Sequence, residues 1–319
     1  MQQHRATDHT FDHNDRVLFF PPDLPDLSRN HTVVDLHFHS VFSDGADLPA
    51  MIAKRAREMG IGVAVTDHNA IEGALEMDRY ADVLSIPGIE VTSREGAHLL
   101  VYFYDCRGLR HFYKKIVYPA KGRDTMSSIN LSMKSIVEGA RRHDGIIVFP
   151  HPFCVMYTGV CNPLFAEAQQ RELLLMGDGV EAINAGNLKK WNLKSTVLGF
   201  NLDKIMTGGS DGHALQHLGK AVTYTNTPKD RIAFLDAVRN HEARVIGQEV
   251  PLMRKMVASG AKLPASIKNS SNIMDKNMRY SYAVLSSKSR QFGAEIRRRF
   301  NGRRGEGRNM RAFSKIGRK

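Results

Sequence analysis

The chain has 319 residues, 42% hydrophobic and 8% aromatic, and its Lys and Arg outnumber Asp and Glu by twelve, a composition that describes a globular protein. No apolar run approaches the roughly 20 residues that cross a bilayer, and the N-terminal MQQHRATDHTFDHNDR has no apolar segment of the secretory type, so neither a transmembrane helix nor a leader is expected. Cys106, Cys154 and Cys161 are scattered and odd in number, which argues against a disulfide framework and for a reducing, cytoplasmic setting.

The excess charge is concentrated at one end. Residues 288–319 carry twelve Lys/Arg against two Glu, whereas the other 287 residues hold 33 basic and 31 acidic side chains. The body is nearly neutral, and the basicity belongs to a tail.

Residues 1–31 read as a polar arm closing on FFPPDLPDL, whose three prolines argue against a helix or a central strand. TVVDLH then reads as a strand. LPAMIAKRAREMG has a helical stripe of Leu48, Met51, Ile52, Ala56 and Met59, stopped by Gly60. IGVAVTDH reads as a strand, IEGALEMDRYA as a short helix, and VLSIPGIEVT and HLLVYFY as two further strands. The basic stretch 105–128 is longer than most connections and is expected to be a flap whose Lys114, Lys115, Lys121 and Arg123 either attract an anion or simply face solvent. Helices are expected near 129–143, 164–176, 188–200 and 229–240, with GIIVFPH, GVEAIN, DKIMTGGS and AVTYT as the intervening strands. Near-continuous apolar strands alternating with helices predict an α/β fold with a mostly parallel sheet, either a barrel or a doubly wound sheet. Residues 32–249 form this α/β region and 250–319 an extension ending in the basic tail 288–319.

Histidines and carboxylates recur where expected strands give way to loops: His37, His39 and Asp44, then His68, Glu90, His151, and finally Asp211 and His213. The carboxyl ends of parallel strands share one rim, so separate segments deliver these groups to one place. His98 opens its strand and fits only if that strand runs antiparallel. Imidazole and carboxylate without thiolate suit Zn, Mn or Fe. Nine donors exceed the needs of one ion and suit two or three, an arrangement that activates water and clamps a phosphoryl oxygen.

The motifs DLHFHSVFSDG, TDHN, GIEVT followed by His98, FPHP and GGSDGH, in that order over residues 32–240, resemble those of the PHP (polymerase and histidinol phosphatase) family of metal-dependent phosphoesterases. The resemblance implies a distorted (β/α)7 barrel with a trinuclear centre. Carried over by position, it implies a first ion on His37, His39, Glu90 and Asp211. Glu90 would bridge to a second on His98 and His151, and Asp44, His68 and His213 would hold a third. Asp at position 44 resembles the smaller nucleotide- and nucleic-acid-processing members.

The expected reaction is hydrolysis of a small phosphomonoester or nucleotide by a metal-activated hydroxide, with Asp211 in the centre and His217 protonating the leaving alkoxide. Asp35 and Asp67 are candidates for orienting imidazoles, and Asn184 and Asn187 for touching substrate. Cys154 reads as a buried, inert thiol. In the tail, Phe292, Ile296 and Phe300 oppose Arg297, Arg298 and Arg299, a basic amphipathic pattern suited to nucleic acid, an anionic surface or an acidic partner. The alternatives are therefore an exonuclease holding nucleic acid with that tail, and a non-catalytic metal-binding interaction module.

Overall fold

The computed structural model describes residues 16–154, 156 and 158–250. The first fifteen residues and everything from residue 251, including the expected amphipathic segment around Phe292, Ile296 and Phe300, lie outside the described residues.

In chain order the elements are β1 (Val17–Leu18), α1 (Leu24–Asn30), β2 (Thr32–Phe38), α2 (Pro49–Met59), β3 (Gly62–Val65) and α3 (Glu72–Met77). Then come β4 (Gly88–Thr92), β5 (His98–Tyr102), α4 (Cys106–Phe112), a π-helical turn (Tyr113–Val117) and α5 (Met133–Arg141). The remainder comprises β6 (Ile146–Phe149), α6 (Glu167–Met176), β7 (Gly179–Asn184), α7 (Lys189–Asn201) and β8 (Ile205–Gly209). A 3₁₀ turn (Leu215–His217), β9 (Ala221–Thr225), α8 (Arg231–Arg239) and β10 (Arg244–Gly247) follow.

The strands pair into two five-stranded sheets, ordered β1-β10-β9-β2-β3 and β4-β5-β6-β7-β8. Four of these pairings are parallel and four antiparallel, so the expectation of a mostly parallel sheet is corrected to a mixed one. The pairing shows a mixed α/β fold of two sheets. The sheets meet through isolated parallel bridges, Val63 with Ser85 and His68 with Glu90 at one edge and Phe38 with Gly212 at the other.

Every residue of β2 is buried, as expected of a strand covered on both faces. Val33 and Phe38 pack with Ile52, Ala53 and Ala56 of α2, while Val34 and Leu36 pack with Phe234, Leu235 and Val238 of α8. Among the described residues no helix is long and apolar enough to cross a membrane.

Two local expectations are corrected. The proline-rich entry contains a helix, α1, because Pro25 sits in its first turn, where a missing N–H costs nothing, and Asp23 caps it by accepting from Asp26 N. The expected flap at 105–128 begins as α4, capped by Asp105 accepting from Gly108 N, and buries Leu109, Phe112, Tyr113 and Val117 in the core. Its apolar residues face inward at helical spacing, which the surrounding basic side chains masked.

Candidate metal centre

All nine donors arrive at one rim. His37 and His39 lie at the end of β2, Asp44 in the following loop, His68 just past β3, and Glu90 within β4. His151 follows β6, and Asp211 and His213 follow β8. His98 joins them because β5 is antiparallel to both β4 and β6, so its first residue lies beside their far ends, with His98 opposite Thr92.

Backbone hydrogen bonds stitch these strand ends together. Asp211 N donates to His37 O at 2.8 Å, His39 N to Gly212 O at 2.9 Å, and Asn69 N to Glu90 O at 2.8 Å. Asn69, His151 and Asp211 all have positive φ (48°, 31° and 50°), an uncommon conformation for side-chain-bearing residues that turns each chain sharply at its strand end. Gly45 is required by space: a Cβ there would stand 2.2 Å from His39 O, so only glycine lets the Asp44 loop fold back on the HxH segment.

The donors form four overlapping groups: His37/His39/Asp211, His39/Asp44/His213, His39/His68/Glu90 and Glu90/His98/His151. His39 and Glu90 are shared between groups. His68 falls with His39 and Glu90 rather than with Asp44 and His213, a different partition from the one the resemblance implies.

The donor set fits divalent ions. His37 Nε2 and His39 Nε2 face each other at 3.2 Å. Asp211 Oδ1 stands 3.5 Å and 3.3 Å from those two nitrogens, and Glu90 Oε2 stands 3.5 Å from each. Ligands about 2.1 Å from one ion at tetrahedral angles stand about 3.4 Å apart. His98 Nδ1 and His68 Nδ1 approach Glu90 at 3.0 and 3.1 Å, yet these nitrogens and both Glu90 oxygens lack well-aligned hydrogen-bond partners among the described residues. His39 Nδ1 and His151 Nδ1 are buried and unpartnered in the same sense. Such orphaned atoms are costly unless a cation accepts them.

The electrostatics point the same way. Burial pushes the carboxyl of Glu90 up, but His98, His68 and His37 outweigh it and hold the group well below the usual range. Asp211 is likewise lowered against burial by His37, His39 and His213, and Asp44 by His213, His39 and His68. Burial also opposes charge on His37 and His213. Glu181, Asp211 and Glu90 nevertheless raise His37 well above the ordinary value, and Asp44 and Asp211 lift His213 to about 9. Burial prevails at His68, which falls to about 3. The metal-free centre therefore keeps its carboxylates ionised and stores protons on selected imidazoles.

The supporting residues differ in part from expectation. Asp35 bonds no imidazole among the described residues: its oxygens accept from the backbone N–H groups of His37, Ser210 and Gly219 at 3.2, 2.9 and 2.9 Å. Asp67 accepts from Ser40 N, Ser40 Oγ and Ser43 Oγ at 2.6–2.8 Å, anchoring the loop between His39 and Asp44. The orienting acceptor is Glu181, which sequence reasoning missed; its Oε1 stands 3.0 Å from His37 Nδ1. Its signal was a carboxylate inside the apolar strand GVEAIN, where burial requires partners. Asn69 was missed too. It accepts from Thr92 N and donates to Thr125 O and Ser127 O.

Asn184 is fully buried and donates to Glu181 Oε2 at 2.8 Å and Asp211 Oδ2 at 3.3 Å. Asn187 donates to Phe153 O at 2.6 Å. His217 ends the 3₁₀ turn and belongs to none of the four donor groups. Cys154 is partly exposed, bonds Thr158 Oγ1 at 3.1 Å and has its thiol lowered to about 7; burial opposes this, and His151 outweighs it.

The chain matches the PHP domain over residues 35–130 and the PHP-associated segment over residues 190–243. No curated protein sequence is significantly similar to it. Among solved structures, an endonuclease Q complex with a 27-mer duplex substrate carrying an abasic lesion at its active site is similar at 17% identity and TM-score 0.57, covering 69% of this chain and 60% of that one. The lesion-specific endonuclease of Pyrococcus furiosus is similar at 18% identity and TM-score 0.55, with coverage of 67% and 57%. A two-domain protein of Bacteroides vulgatus containing a predicted PHP-like metal-dependent phosphoesterase is similar at 17% identity and TM-score 0.51, with coverage of 74% and 70%. At these identities the likeness is one of fold. The chain thus carries a PHP domain over residues 35–130 and a PHP-associated segment over residues 190–243, with nine imidazole and carboxylate donors gathered at the strand ends of the fold.

Proposed function

We propose that the protein hydrolyses a phosphomonoester or nucleotide at a centre of two or three divalent ions, Mn, Zn or Fe, held by His37, His39, Asp44, His68, Glu90, His98, His151, Asp211 and His213. The observation that carries this reading is the overlap of four donor groups through His39 and Glu90, with buried donor atoms that lack hydrogen-bond partners among the described residues. Ions bound there supply an activated water and neutralise charge on the phosphoryl oxygens.

The chain's own residues do the rest. Glu181 fixes the tautomer of His37 by accepting from Nδ1, which leaves Nε2 as the donor atom. Asn184 steadies both Glu181 and Asp211. Asp67 and its serine partners hold the loop that brings Asp44 to His213, at 2.9 Å. His217, on the turn beyond His213, is the residue we assign to protonating the leaving oxygen. We read the two sheets as the halves of the distorted barrel of the family, and the compartment as cytoplasmic.

Nuclease action on nucleic-acid ends is the second reading, favoured by the fold likeness to the two endonuclease structures and by the basic tail. Phosphate release by metal-loaded protein over sugar phosphates, nucleotides and short oligonucleotides tests both. Release from monoesters, abolished in Asp211→Asn, supports the first. Cleavage confined to oligonucleotides, with a steep salt dependence that disappears on deleting 288–319, supports the second. Full metal loading with no cleavage of any substrate contradicts both and leaves the non-catalytic module.

A further inference from the structure

Next to the metal donors lies an aromatic pair that the proposed chemistry does not use. Phe153, two residues past His151, and Trp191, in the first turn of α7, are almost parallel, with an interplanar angle of 13° and centroids 6.4 Å apart. Lys194 Nζ stands 4.7 Å from the Trp191 centroid and 5.7 Å from that of Phe153, and Lys190 Nζ stands 5.0 Å from Trp191.

Hydrogen bonds fix this pair to the rim. Asn187 donates to Phe153 O, and Asn192, the residue after Trp191, bonds both Asn184 N and Asn184 O, at 3.3 and 2.9 Å. Asn184 in turn holds Asp211. The platform is thus joined to the metal donors on two sides, through His151 along the chain and through Asn184 across the fold.

The charge around it lacks compensation within the described residues. Lys189, Lys190 and Lys194 are exposed, no carboxylate pairs with them there, and the first turn of α7 contains no acid. Lys190 and Lys194 stand four apart on one helix face, and lysines at a helix N-terminus oppose its dipole, so both placements are unfavourable by themselves. An anion relieves both. The indole Nε1 is enclosed without an acceptor among the described residues, so the ring is held for its faces rather than for a hydrogen bond.

Resting on the phosphoesterase reading for where the scissile phosphate lies, we propose that Phe153 and Trp191 stack the base of a nucleotide unit while Lys190 and Lys194 hold its phosphate. The substrate class is then base-bearing phosphoesters, as a free mononucleotide or a strand end, rather than sugar phosphates.

Trp191 is the one tryptophan of the chain, so its fluorescence reports occupancy directly. Metal-loaded full-length protein is mixed rapidly with adenosine 5′-monophosphate, a deoxythymidine tetranucleotide or ribose 5-phosphate, and quenching is read before turnover. A saturable quench by a base-bearing probe, at a Kd at least about tenfold below that of ribose 5-phosphate, is expected from base–aromatic stacking. Tighter binding of the tetranucleotide assigns a strand end, and equal or tighter binding of the monophosphate assigns the free nucleotide. Lys194→Gln is expected to raise the Kd severalfold and to flatten its dependence on salt. Trp191→Ala is expected to lower kcat/KM on base-bearing substrates more than on ribose 5-phosphate, with Trp191→Phe restoring most of the loss. Absence of a saturable quench, or equal affinity for the base-free probe, overturns the platform whatever the activity. Quenching without any phosphate release instead overturns the hydrolytic reading and leaves the platform standing.

Discussion

Glu181 Oε1 lies 3.0 Å from Nδ1 of His37, at a site where both side chains are almost completely buried. The other Glu181 oxygen accepts from His151 N and Asn184 Nδ2 at 2.9 and 2.8 Å, so one carboxylate governs three parts of the centre. A glutamine there would have to aim its amide N–H₂ either at His37 or at two N–H donors. Glu181→Gln is therefore expected to weaken metal binding about 10- to 100-fold, as measured by calorimetric titration of the stripped protein. An unchanged affinity would show that His37 is oriented by something else.

Metal uptake should release protons. His213, raised to about 9 in the metal-free chain, must lose its proton before its nitrogen can bind a cation. Apparent affinity is expected to climb as pH rises towards 9, and titrations in buffers of different ionisation enthalpy should show protons leaving. In the stripped protein the sign reverses for stability. The His213–Asp44 pair contributes fully below the ordinary histidine value of 6.5, and that contribution fades as pH rises through 9. A pH-independent metal affinity would contradict this.

Asp35 ties β2 to the segments at Ser210 and Gly219 by accepting three backbone N–H groups. Asp35→Asn is expected to cost about 1–3 kcal/mol at pH 5 in urea unfolding of the stripped protein, since one acceptor is replaced by a donor. Burial raises the carboxyl to about 6, so the folded chain holds its proton more tightly than the unfolded one. The contribution of Asp35 to stability then declines as pH rises from about 4 through 6, and the wild-type advantage over the variant narrows across that interval. A widening gap would refute the assignment.

Gly45→Ala places a Cβ against the backbone of His39 and Ser40. The Asp44 loop must move, and the His39/Asp44/His213 group is expected to lose its ion while the Glu90/His98/His151 group keeps its own. Elemental analysis should show a stoichiometry lower by about one ion than wild type, and wild-type stoichiometry would count against the grouping.

Much of this centre was legible in sequence because strand ends carry it. Buried apolar runs such as TVVDLH and IGVAV announce where each strand stops, and His37, His39 and His68 stand at those stops. His98 was ambiguous for a physical reason: residue patterns mark a strand but not its direction, and only the antiparallel pairing of β5 brings it to the rim. Glu181 was overlooked although, like Glu90, it is a carboxylate inside an apolar strand. The helix α1 was hidden by Pro25, a residue that breaks helices in their middles and suits their first turns. Nothing local in the chain specified how ten strands would divide into two sheets, since that depends on pairings between residues as distant as Thr32 and Thr225.

The most direct measurement is phosphate release as the chelator-stripped protein is titrated with Mn²⁺, beside Asp211→Asn and His39→Ala. Release should be absent in the stripped chain, rise with added metal to a plateau, and stay near background in both variants at the same metal concentration. Release that persists without metal, or that survives in both variants, would contradict hydrolysis at this centre.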